Sequence, residues 1–519
     1  MTALPRSGFL RAARILTLDP TADGDALWWE NGRIRQVGKA AALARAIPPN
    51  TPQFDLPGAL VTPGFVDSHT HFGMWAVGQR QVQLSGARSV EEAIDRIRGV
   101  VPVDGWIVGQ GWDANDWEEP PGKDSLDRVS AVPVFLHSLD VHAAWVNSSA
   151  LRVAGVSRET PDPSGGRIVR DAAGHPTGLL LEGAVDLVRE HLPDPSPQKM
   201  VDALLNAQSQ AHRLGITGIH NVEGHQVYEA FRRLGEEDRL RLRVLFHHPV
   251  ADLPRLIAAG VKSGTGGPWL TDGGIKMFLD GSLGSRTAWM LQPYEGTRDR
   301  GMPTSDERVA SSAMRLAAAS GLASVVHAIG DAAVRRALDL MERLPATGVR
   351  HRFEHFQCVS PEDLDRAARS GIALSMQPAH ILTDIALAER HWGHRSAGAY
   401  AFRTLLDRGS LLAFGSDAPV ASLDPREGVY AAMERRFGEN DPAWYPGERL
   451  DFETIVEAYT VGPARAARVD GRRGTLTPGR DADLVAWQVD AMQPSTGEGF
   501  RKAQVALTVV DGEPVYYSK

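Results

Sequence analysis

Two histidines, His69 and His71, lie one residue apart at the end of the apolar stretch VTPGFVDSHTHF, residues 61–72. Because residues i and i+2 of a strand point to the same side, the two imidazoles are predicted to aim at one point. Imidazole is a common ligand of divalent metal ions, although an isolated His-x-His pair is more often a surface or core feature. Asp67 has the same strand parity two residues deeper, so we expect it to support the histidines from below.

Residues of similar chemistry end four further strand-like stretches. They are Lys276 in GGIKMFLDG, His327 in VVHAIGD, His355 in FEHFQC and Asp417 in FGSDAPV. Each has an ordinary structural explanation when it is taken alone. Together with the first pair they favour a metal site, because imidazole and carboxylate groups bind zinc and similar divalent ions.

Lys276 has a particular place in this set. It alternates with the apolar residues Ile275 and Met277, which suit packing on outer helices and so turn the lysine inward. Two interpretations remain open: a salt bridge to Asp280 or another carboxylate, or reaction of the neutral amine with carbon dioxide to give a carbamate that bridges two cations. Burial lowers the pKa of a lysine, which helps the second reaction.

Alternating strand-like and helix-like stretches must position these side chains. The strand candidates are residues 60–68, 216–222, 242–248, 274–280, 323–329, 350–356, 372–378 and 411–417. Eight strands that alternate with helices predict an α/β fold with a parallel (β/α)₈ barrel, a TIM barrel. The active site of such a barrel forms at the carboxyl ends of its strands, where the candidate ligands lie.

Two regions do not follow the barrel pattern. Short alternating runs with turns at Asn31-Gly32 and Asp511-Gly512 predict β-structure at both ends of the chain. The gap after the first strand is too long for a βα loop and predicts an inserted domain. The predicted domains are a composite β-sandwich (1–60 plus 465–519), the barrel (61–74 plus 198–464) and an inserted domain that covers the active site (75–197).

The bulk composition narrows the class of protein. The 519 residues carry a net charge of −8, which argues against a nucleic-acid-binding surface. Cys358 is the single cysteine, so the sequence predicts neither an intrachain disulfide nor a cysteine-rich zinc site. We expect a cytoplasmic protein without membrane contact, since the sequence shows no signal peptide and no long apolar stretch. A homodimer is the base-rate expectation for the assembly.

The strand-end pattern resembles that of the amidohydrolase superfamily. The surrounding sequence is similar to its YtcJ-like branch, amidohydrolase family 3, which includes N-substituted formamide deformylases. The similar stretches include PGFVDSHTHF, QGWDANDW, HAAWVNSSAL, GGIKMFLDGSLGSRTA, VHAIGDAAV, RFEHFQCV, FGSDAPV and GTLTPGRDADLV, and they extend from about residue 56 to residue 488. The resemblance implies a distorted (β/α)₈ barrel, a composite β-sandwich and an inserted domain.

The resemblance also implies a role for each strand-end residue. His69, His71 and Asp417 would bind the more buried metal, and His327 and His355 would bind a second one. Carboxylated Lys276 would bridge the two ions, although some members of the superfamily bind a single ion. Zn²⁺ is the expected metal.

This site predicts a metal-dependent hydrolase that cleaves a C–N bond other than a peptide bond. A hydroxide held by the metal would attack an amide-like carbonyl of a small molecule, of the N-substituted formamide or N-acyl amine type. Asp417 would accept the proton and pass it to the leaving nitrogen. The alternatives are a hydrolase of cyclic amides such as hydantoins or lactams, a deaminase, and a metal-binding protein without catalysis.

Other residues are candidates for contacts with the substrate. His142, in the predicted insert, would touch the oxyanion or the substrate, and Arg286 would hold a substrate carboxylate or pair with Asp280. Glu182 would contact substrate or metal, or simply begin a helix. The insert carries five tryptophans, which form its own core or line an apolar pocket; they are Trp75, Trp106, Trp112, Trp117 and Trp145. Trp112 and Asp113 would form part of the lid.

Overall fold

The computed structural model describes residues 6–489, 494 and 496–518. At its centre, eight parallel strands form a sheet that is nearly closed as a barrel. The strands are β1 (Phe65–Thr70), β2 (Ile216–Val222), β3 (Arg243–Pro249), β4 (Leu270–Phe278), β5 (Ala323–Ala328), β6 (Arg352–His355), β7 (Ala373–Met376) and β8 (Leu411–Phe414). A bridge between Thr70 and Ala418 links the two ends of this sheet. The predicted α/β fold class is confirmed.

The first predicted strand, residues 60–68, is divided in the structure. Residues Gln53–Pro63 belong to a sheet outside the barrel, and β1 begins at Phe65. Gly64 joins the two strands, and a Cβ atom at this position would lie 2.3 Å from the side chain of Thr217. Only glycine allows this close approach, so the continuous apolar pattern conceals a change of sheet.

The two ends of the chain meet in one seven-stranded sheet. Its strands are Gly8–Ile15, Ala26–Glu30, Arg33–Gly38, Gln53–Pro63, Leu484–Gln488, Gln504–Val510 and Glu513–Tyr517. Both predicted hairpins are present, and φ is positive at Asn31 and Gly32 and again at Asp511 and Gly512. Two consecutive residues with positive φ are typical of the tight turns that join twisted antiparallel strands.

A third sheet lies in the segment between β1 and β2. Its six strands are Val82–Gln83, Ile107–Trp112, Val134–Ser138, Ala143–Val146, Gly166–Arg170 and Pro176–Glu182. The rings of Trp112, Trp117 and Trp145 lie 6.1–6.4 Å apart in one apolar cluster of this region. These three tryptophans therefore form part of its core, whereas Trp75 packs on Phe72 beside the barrel.

Helices cover the outside of the barrel and connect the sheets. The α-helices are Ala40–Leu43, Phe72–Gly78, Val90–Ile97, Lys123–Asp127, Ser148–Val153, Asp186–Arg189, Pro197–Arg213, His225–Glu236, Leu253–Ala258, Glu307–Ala319, Asp331–Met341, Pro361–Arg369, Ile381–Trp392, Phe402–Asp407, Pro425–Glu434, Phe452–Tyr459, Val461–Ala466 and Gly497–Arg501. Short 3₁₀ helices span Val250–Asp252, Pro378–His380, Gly393–Gly398 and Pro446–Glu448.

Several helix starts follow directly from the sequence. The side chains of Asp306 and Asp451 accept backbone N–H groups at the starts of two helices, Glu307–Ala319 and Phe452–Tyr459, because an aspartate before the first turn satisfies donors that lack a partner within the helix. Within the described part of the chain, none of the helices combines the length and the apolar character needed to cross a membrane.

Candidate metal centre

The candidate metal centre lies where β1 meets β8. The N–H of Asp417 donates to the carbonyl of His69 at 2.7 Å, and the N–H of His71 donates to the carbonyl of Ala418 at 2.9 Å. These bonds bring Oδ1 of Asp417 to 3.2 Å from Nε2 of His69 and 3.4 Å from Nε2 of His71. The two histidines thus share one carboxylate oxygen, as their common direction along the strand predicts.

Two further histidines approach this carboxylate from β5 and β6. The ring centroids of His327 and His355 are 4.5 Å apart, and Nδ1 of His355 lies 3.9 Å from Oδ2 of Asp417. The potential ligand atoms of His69, His355 and Asp417 all lie within 4.8 Å of one another. Burial lowers the pKa of His327 and His355 well below the usual value, so both rings are neutral, the form that binds a metal.

Several polar atoms of this cluster are buried and make no hydrogen bond to any residue that the structure describes. They are Nζ of Lys276, Nε2 of His69, Nδ1 of His327, Nδ1 of His355 and Oδ1 of Asp417. Leaving such atoms unpaired costs free energy, because each has lost its bonds to water. Coordination of a divalent cation would satisfy the imidazole nitrogens and the carboxylate oxygen. The donor set therefore fits a metal.

Lys276 points into the barrel, as its alternation with apolar neighbours predicts. Its side chain is buried, and Nζ lies 4.7 Å from the centroid of the Phe278 ring. Burial lowers the pKa of this amine to about 8, although the carboxylates of Glu354 and Asp417 oppose the shift. Asp280 does not pair with the lysine; it accepts the backbone N–H groups of residues 289, 329 and 330.

Asp67 and Ser416 form a support beneath the two β1 histidines. Oδ1 of Asp67 accepts the N–H of His69 at 3.0 Å and the N–H of Ser416 at 2.9 Å. Its second oxygen accepts the Ser416 hydroxyl at 2.5 Å. These bonds fix the backbone of His69 from below, the supporting position expected for Asp67.

Glu354 is a member of the site that sequence reasoning missed. Its Oε2 lies 2.5 Å from Nδ1 of His69, and both side chains are fully buried. Oε1 of Glu354 lies 2.6 Å from Nε of Arg352. Since Nδ1 of His69 faces this carboxylate, Nε2 is the ring nitrogen left for a metal.

Strand alternation explains why Glu354 was missed. The pattern of β6 predicts that Glu354 and its neighbour His355 face opposite sides. In the structure His355 has a φ of 71° and Phe356 a φ of 45°, so the strand ends and the alternation is broken there. Both Glu354 and His355 therefore contribute to the same centre, and the FEH sequence alone carries no signal of this.

His380 was also missed, because it lies in the short 3₁₀ helix after β7 rather than at a strand end. Its Nε2 is 3.9 Å from Oδ2 of Asp417 and has no hydrogen-bond partner among the described residues. The His380 ring stacks 6.2 Å from that of His355. A fifth imidazole therefore faces the carboxylate.

The segment between β1 and β2 places His142 over the metal centre. The ring of His142 lies 5.3 Å from that of His327, and its Nδ1 is 2.8 Å from Oε2 of Glu182. Glu182, at the end of its strand, also accepts the hydroxyl of Thr287 at 2.5 Å. Burial lowers the pKa of His142, but the Glu182 carboxylate outweighs this effect and raises it to about 9.

A cavity of about 350 Å³ opens beside this centre. His142, His355, His380 and Asp417 line it, and so do Trp112, Asp113 and Arg286. The rest of the lining mixes apolar side chains, among them Leu139, Leu179, Leu181, Leu283, Leu387 and Val420, with polar ones, among them Asn115, Asp140, Arg167, Gln357 and Asp384. Arg286 forms no ion pair within the described part of the chain, and Asp280 is engaged by backbone groups instead.

The barrel, the buried donor set and the adjoining cavity define the class of metal-dependent hydrolases. Comparisons with known proteins lead to the same class. A model described as the amidohydrolase family matches residues 53–516. The chain belongs to the amidohydrolase family, and it is a hydrolase that acts on carbon–nitrogen bonds other than peptide bonds.

Individual relatives match almost the whole chain. YtcJ of Bacillus subtilis (strain 168), named as an amidohydrolase, is 34% identical over 95% of this chain and 96% of its own length. The N-substituted formamide deformylase of Arthrobacter pascens is 27% identical over 96% of both chains. An uncharacterized metal-dependent hydrolase from Pyrococcus horikoshii OT3 superposes with a TM-score of 0.78 at 27% identity, covering 94% of this chain and 98% of that one.

Proposed function

We propose that this protein hydrolyses the amide bond of a small N-substituted formamide or N-acyl amine. The observation that carries the proposal is that His142 and Asp417 line one cavity together with apolar side chains such as Leu179, Leu181 and Leu387. An acid–base group and a second polar group thus face the same space, as cleavage of a polar bond in an apolar molecule requires. The relative named as a formamide deformylase supports this substrate type.

In this proposal the donor set holds two divalent ions, with Zn²⁺ the expected element. His69, His71 and Asp417 would hold one ion, and His327 and His355 would hold the other. Lys276 would contribute as a carbamate, formed when its neutral amine makes an N–C bond to carbon dioxide and releases one proton. Such ions, when bound, would supply a water of lowered pKa and Lewis acidity toward the carbonyl oxygen of the substrate.

Asp417 acts as the general base and then as the general acid in the reaction. As a water oxygen bonds to the carbonyl carbon, a carboxylate oxygen of Asp417 takes the proton that the water gives up. The same carboxyl group then donates that proton to the nitrogen while the C–N bond breaks, because an amine anion is too poor a leaving group to depart unprotonated. The products are a carboxylic acid and an amine, which become a carboxylate and an ammonium ion when the acid proton passes to the amine through solvent.

His142 stabilises the charge that develops on the carbonyl oxygen. Its Nδ1 faces Glu182, so the proton on Nε2 is free to donate toward the substrate. Hydrogen-bond donors fixed before the reaction act strongly when the site excludes water. Glu182 therefore serves as a positioning residue for His142 rather than as a ligand of the metal.

The size and lining of the cavity support a small and mainly apolar amine portion. Trp112 contributes a buried indole whose Nε1 already donates to the carbonyl of Leu136 at 2.8 Å, so it offers the substrate an apolar surface. Arg286 provides a cationic side chain on the same wall, which would suit substrates that carry an anionic substituent.

A substrate panel tests the proposal. Zinc-loaded protein is incubated with N-benzylformamide, N-acetylbenzylamine, a hydantoin, a lactam and adenosine, and product formation is followed by chromatography. We expect turnover of the two open-chain amides and loss of that turnover in Asp417→Asn. Preferred opening of the cyclic amides or release of ammonia from adenosine would replace the proposal with the corresponding activity. Silence across the panel would exclude these substrate types and overturn the proposed substrate class.

A further inference from the structure

A second cavity lies at the opposite end of the barrel. It is lined by residues near the amino ends of β1 to β6 and by residues 460–475 and 481–483, and its volume is about 680 Å³. This volume is larger than the 350 Å³ beside the metal centre and falls within the range of roughly 300–1,000 Å³ that is usual for ligand pockets. The proposed amide hydrolysis makes no use of it.

The lining of this second cavity carries an excess of positive charge. Its arginines are Arg243, Arg350, Arg352, Arg468, Arg472 and Arg473, and its acidic residues are Asp272, Asp481 and Asp483. The acids are already engaged. Asp483 pairs with Arg243 at 3.1 Å, Asp481 with Arg473 at 2.9 Å, and Asp272 accepts from His248 at 2.9 Å.

Two of the arginines have no partner within the described part of the chain. The side chains of Arg350 and Arg468 form neither an ion pair nor a hydrogen bond there. A guanidinium nitrogen of Arg468 lies 3.9 Å from the position that a Cβ atom at Gly348 would occupy. Arg468, an exposed residue, therefore lies against the segment that carries the half-buried Arg350, and both arginines line the cavity.

His220 supplies a free donor to the same cavity. Its side chain is 96% buried, with 4% of its surface exposed, and Nη1 of Arg352 lies 2.9 Å from its Nδ1. Because an arginine can only donate, Nδ1 of His220 must accept, and the ring proton is therefore on Nε2. Nε2 has no partner among the described residues, although His220 lines the cavity.

We propose that this cavity binds a small organic acid, whose carboxylate or phosphate lies at Arg350 and Arg468 and whose body extends toward Nε2 of His220. The guanidinium group matches both anions with two parallel hydrogen bonds. Apolar lining residues, including Val66, Ile219, Val244 and Leu245, would contact the body of the ligand. A bare inorganic anion would leave this apolar surface and the His220 donor unused.

Binding is tested by titration calorimetry on the zinc-loaded full-length protein with 4-hydroxybenzoate, 4-hydroxyphenyl phosphate and inorganic phosphate, because the hydroxyl oxygen gives the body of each organic acid an acceptor for Nε2 of His220. We expect saturable binding of at least one of the organic acids with one site per chain, tighter than that of inorganic phosphate. Arg350→Ala and Arg468→Ala should each weaken this binding roughly tenfold or more, since each removes a charge-assisted contact. Arg315→Ala is the matched control and should bind as the wild type does. Arg315 is exposed on the outer helix Glu307–Ala319, and its side chain has no ion-pair partner in the part of the chain that the structure describes.

Three results would overturn the proposal. They are the absence of binding by either organic acid, equal affinity in the wild type and both arginine variants, and loss of binding on removal of the zinc, which would place the anion at the metal centre. Thermal melting of each variant verifies that it is folded. Because the readout is binding at the other end of the barrel, the outcome is independent of whether the protein hydrolyses amides.

Discussion

Nδ1 of His69 and Oε2 of Glu354 lie 2.5 Å apart at the centre of the barrel, although 285 positions separate them in the chain. Both side chains are fully buried. A carboxylate in this position holds the ring of a metal ligand in one orientation and keeps the proton on the nitrogen that faces away from the metal. Glu354 therefore acts on the metal centre without being one of its ligands.

Replacing this carboxylate should weaken metal binding. Glu354→Gln preserves the volume but removes the charge that orients His69, so we expect zinc affinity to fall by roughly 10- to 100-fold. Titration against a competing chelator measures the change. Glu362→Gln is the control, because Glu362 is exposed and its one ion pair among the described residues is with Arg335. Equal zinc affinity in the wild type and Glu354→Gln would show that His69 needs no such support.

Part of this site could be predicted from the alternation of side chains along each strand. Two of its residues could not, and the structure shows why. The alternation along β1 predicts one direction for His69 and His71, and in the structure both rings face Oδ1 of Asp417. Glu354 could not be predicted as a member of the site, because the positive φ of His355 breaks that alternation at the end of β6. His380 could not be predicted either. It lies in a 3₁₀ turn after a strand, and such a turn leaves no simple periodic pattern in the sequence.

In the fold as well, features set by neighbouring residues could be predicted, and features set by contacts between distant residues could not. The hairpins at Asn31-Gly32 and Asp511-Gly512 depend on two-residue turns, and both are present where predicted. The change of sheet at Gly64 depends on contact with Thr217, which is remote in sequence, so no local pattern reveals it. The partnership of His142 with Glu182 is likewise set by the pairing of distant strands.

Asp417 should be essential to turnover but not to all metal binding. Asp417→Asn keeps a side-chain oxygen while removing the group that accepts and returns the proton, so kcat should fall by roughly 10²- to 10⁴-fold. Elemental analysis should show that much of the metal is retained, because the histidine ligands are unchanged. A variant with wild-type kcat would exclude Asp417 as the acid–base group.

His142 should affect the chemical step more than substrate affinity. His142→Asn removes the donor that faces the carbonyl oxygen, so we expect kcat to fall by roughly 10²- to 10³-fold with a smaller change in KM. Glu182→Gln should lower kcat less, since it loosens His142 without removing it. His175→Asn, at an exposed histidine of the same segment, is the control. A change confined to KM would instead make His142 a substrate-binding residue.

Lys276 should determine how many ions the protein holds. Lys276→Met keeps an unbranched buried side chain but cannot form a carbamate, so metal content should fall below two ions per chain. Wild-type protein equilibrated with ¹³C-labelled bicarbonate should show a carbamate carbon by NMR, and the variant should show none. Two ions per chain in Lys276→Met, or a wild type without a carbamate signal, would contradict the bridging role.

His212, far from the metal centre, should make the protein less stable in acid. Its Nε2 donates to the carbonyl of Arg241 at 2.9 Å, and burial lowers the pKa of the ring to about 4. The unfolded chain takes up a proton near the ordinary pKa of about 6.5, whereas the folded protein does not, so stability is lost as the pH falls from about 6.5 toward 4. For this residue the loss is roughly 2 kcal/mol between about pH 7 and pH 5.

Substitution by glutamine isolates this contribution of His212. His212→Gln retains a donor for the Arg241 carbonyl but cannot take up a proton, so its free energy of unfolding should decrease less between pH 7 and pH 5 than that of the wild type. Urea unfolding at several pH values measures the difference in the free energy of unfolding. The other buried histidines contribute equally to both proteins, so their pH dependence does not affect the comparison. His175→Gln should follow the wild-type curve, since His175 is exposed. Parallel curves for the wild type and His212→Gln would mean that the ring is already protonated in the folded protein at pH 5.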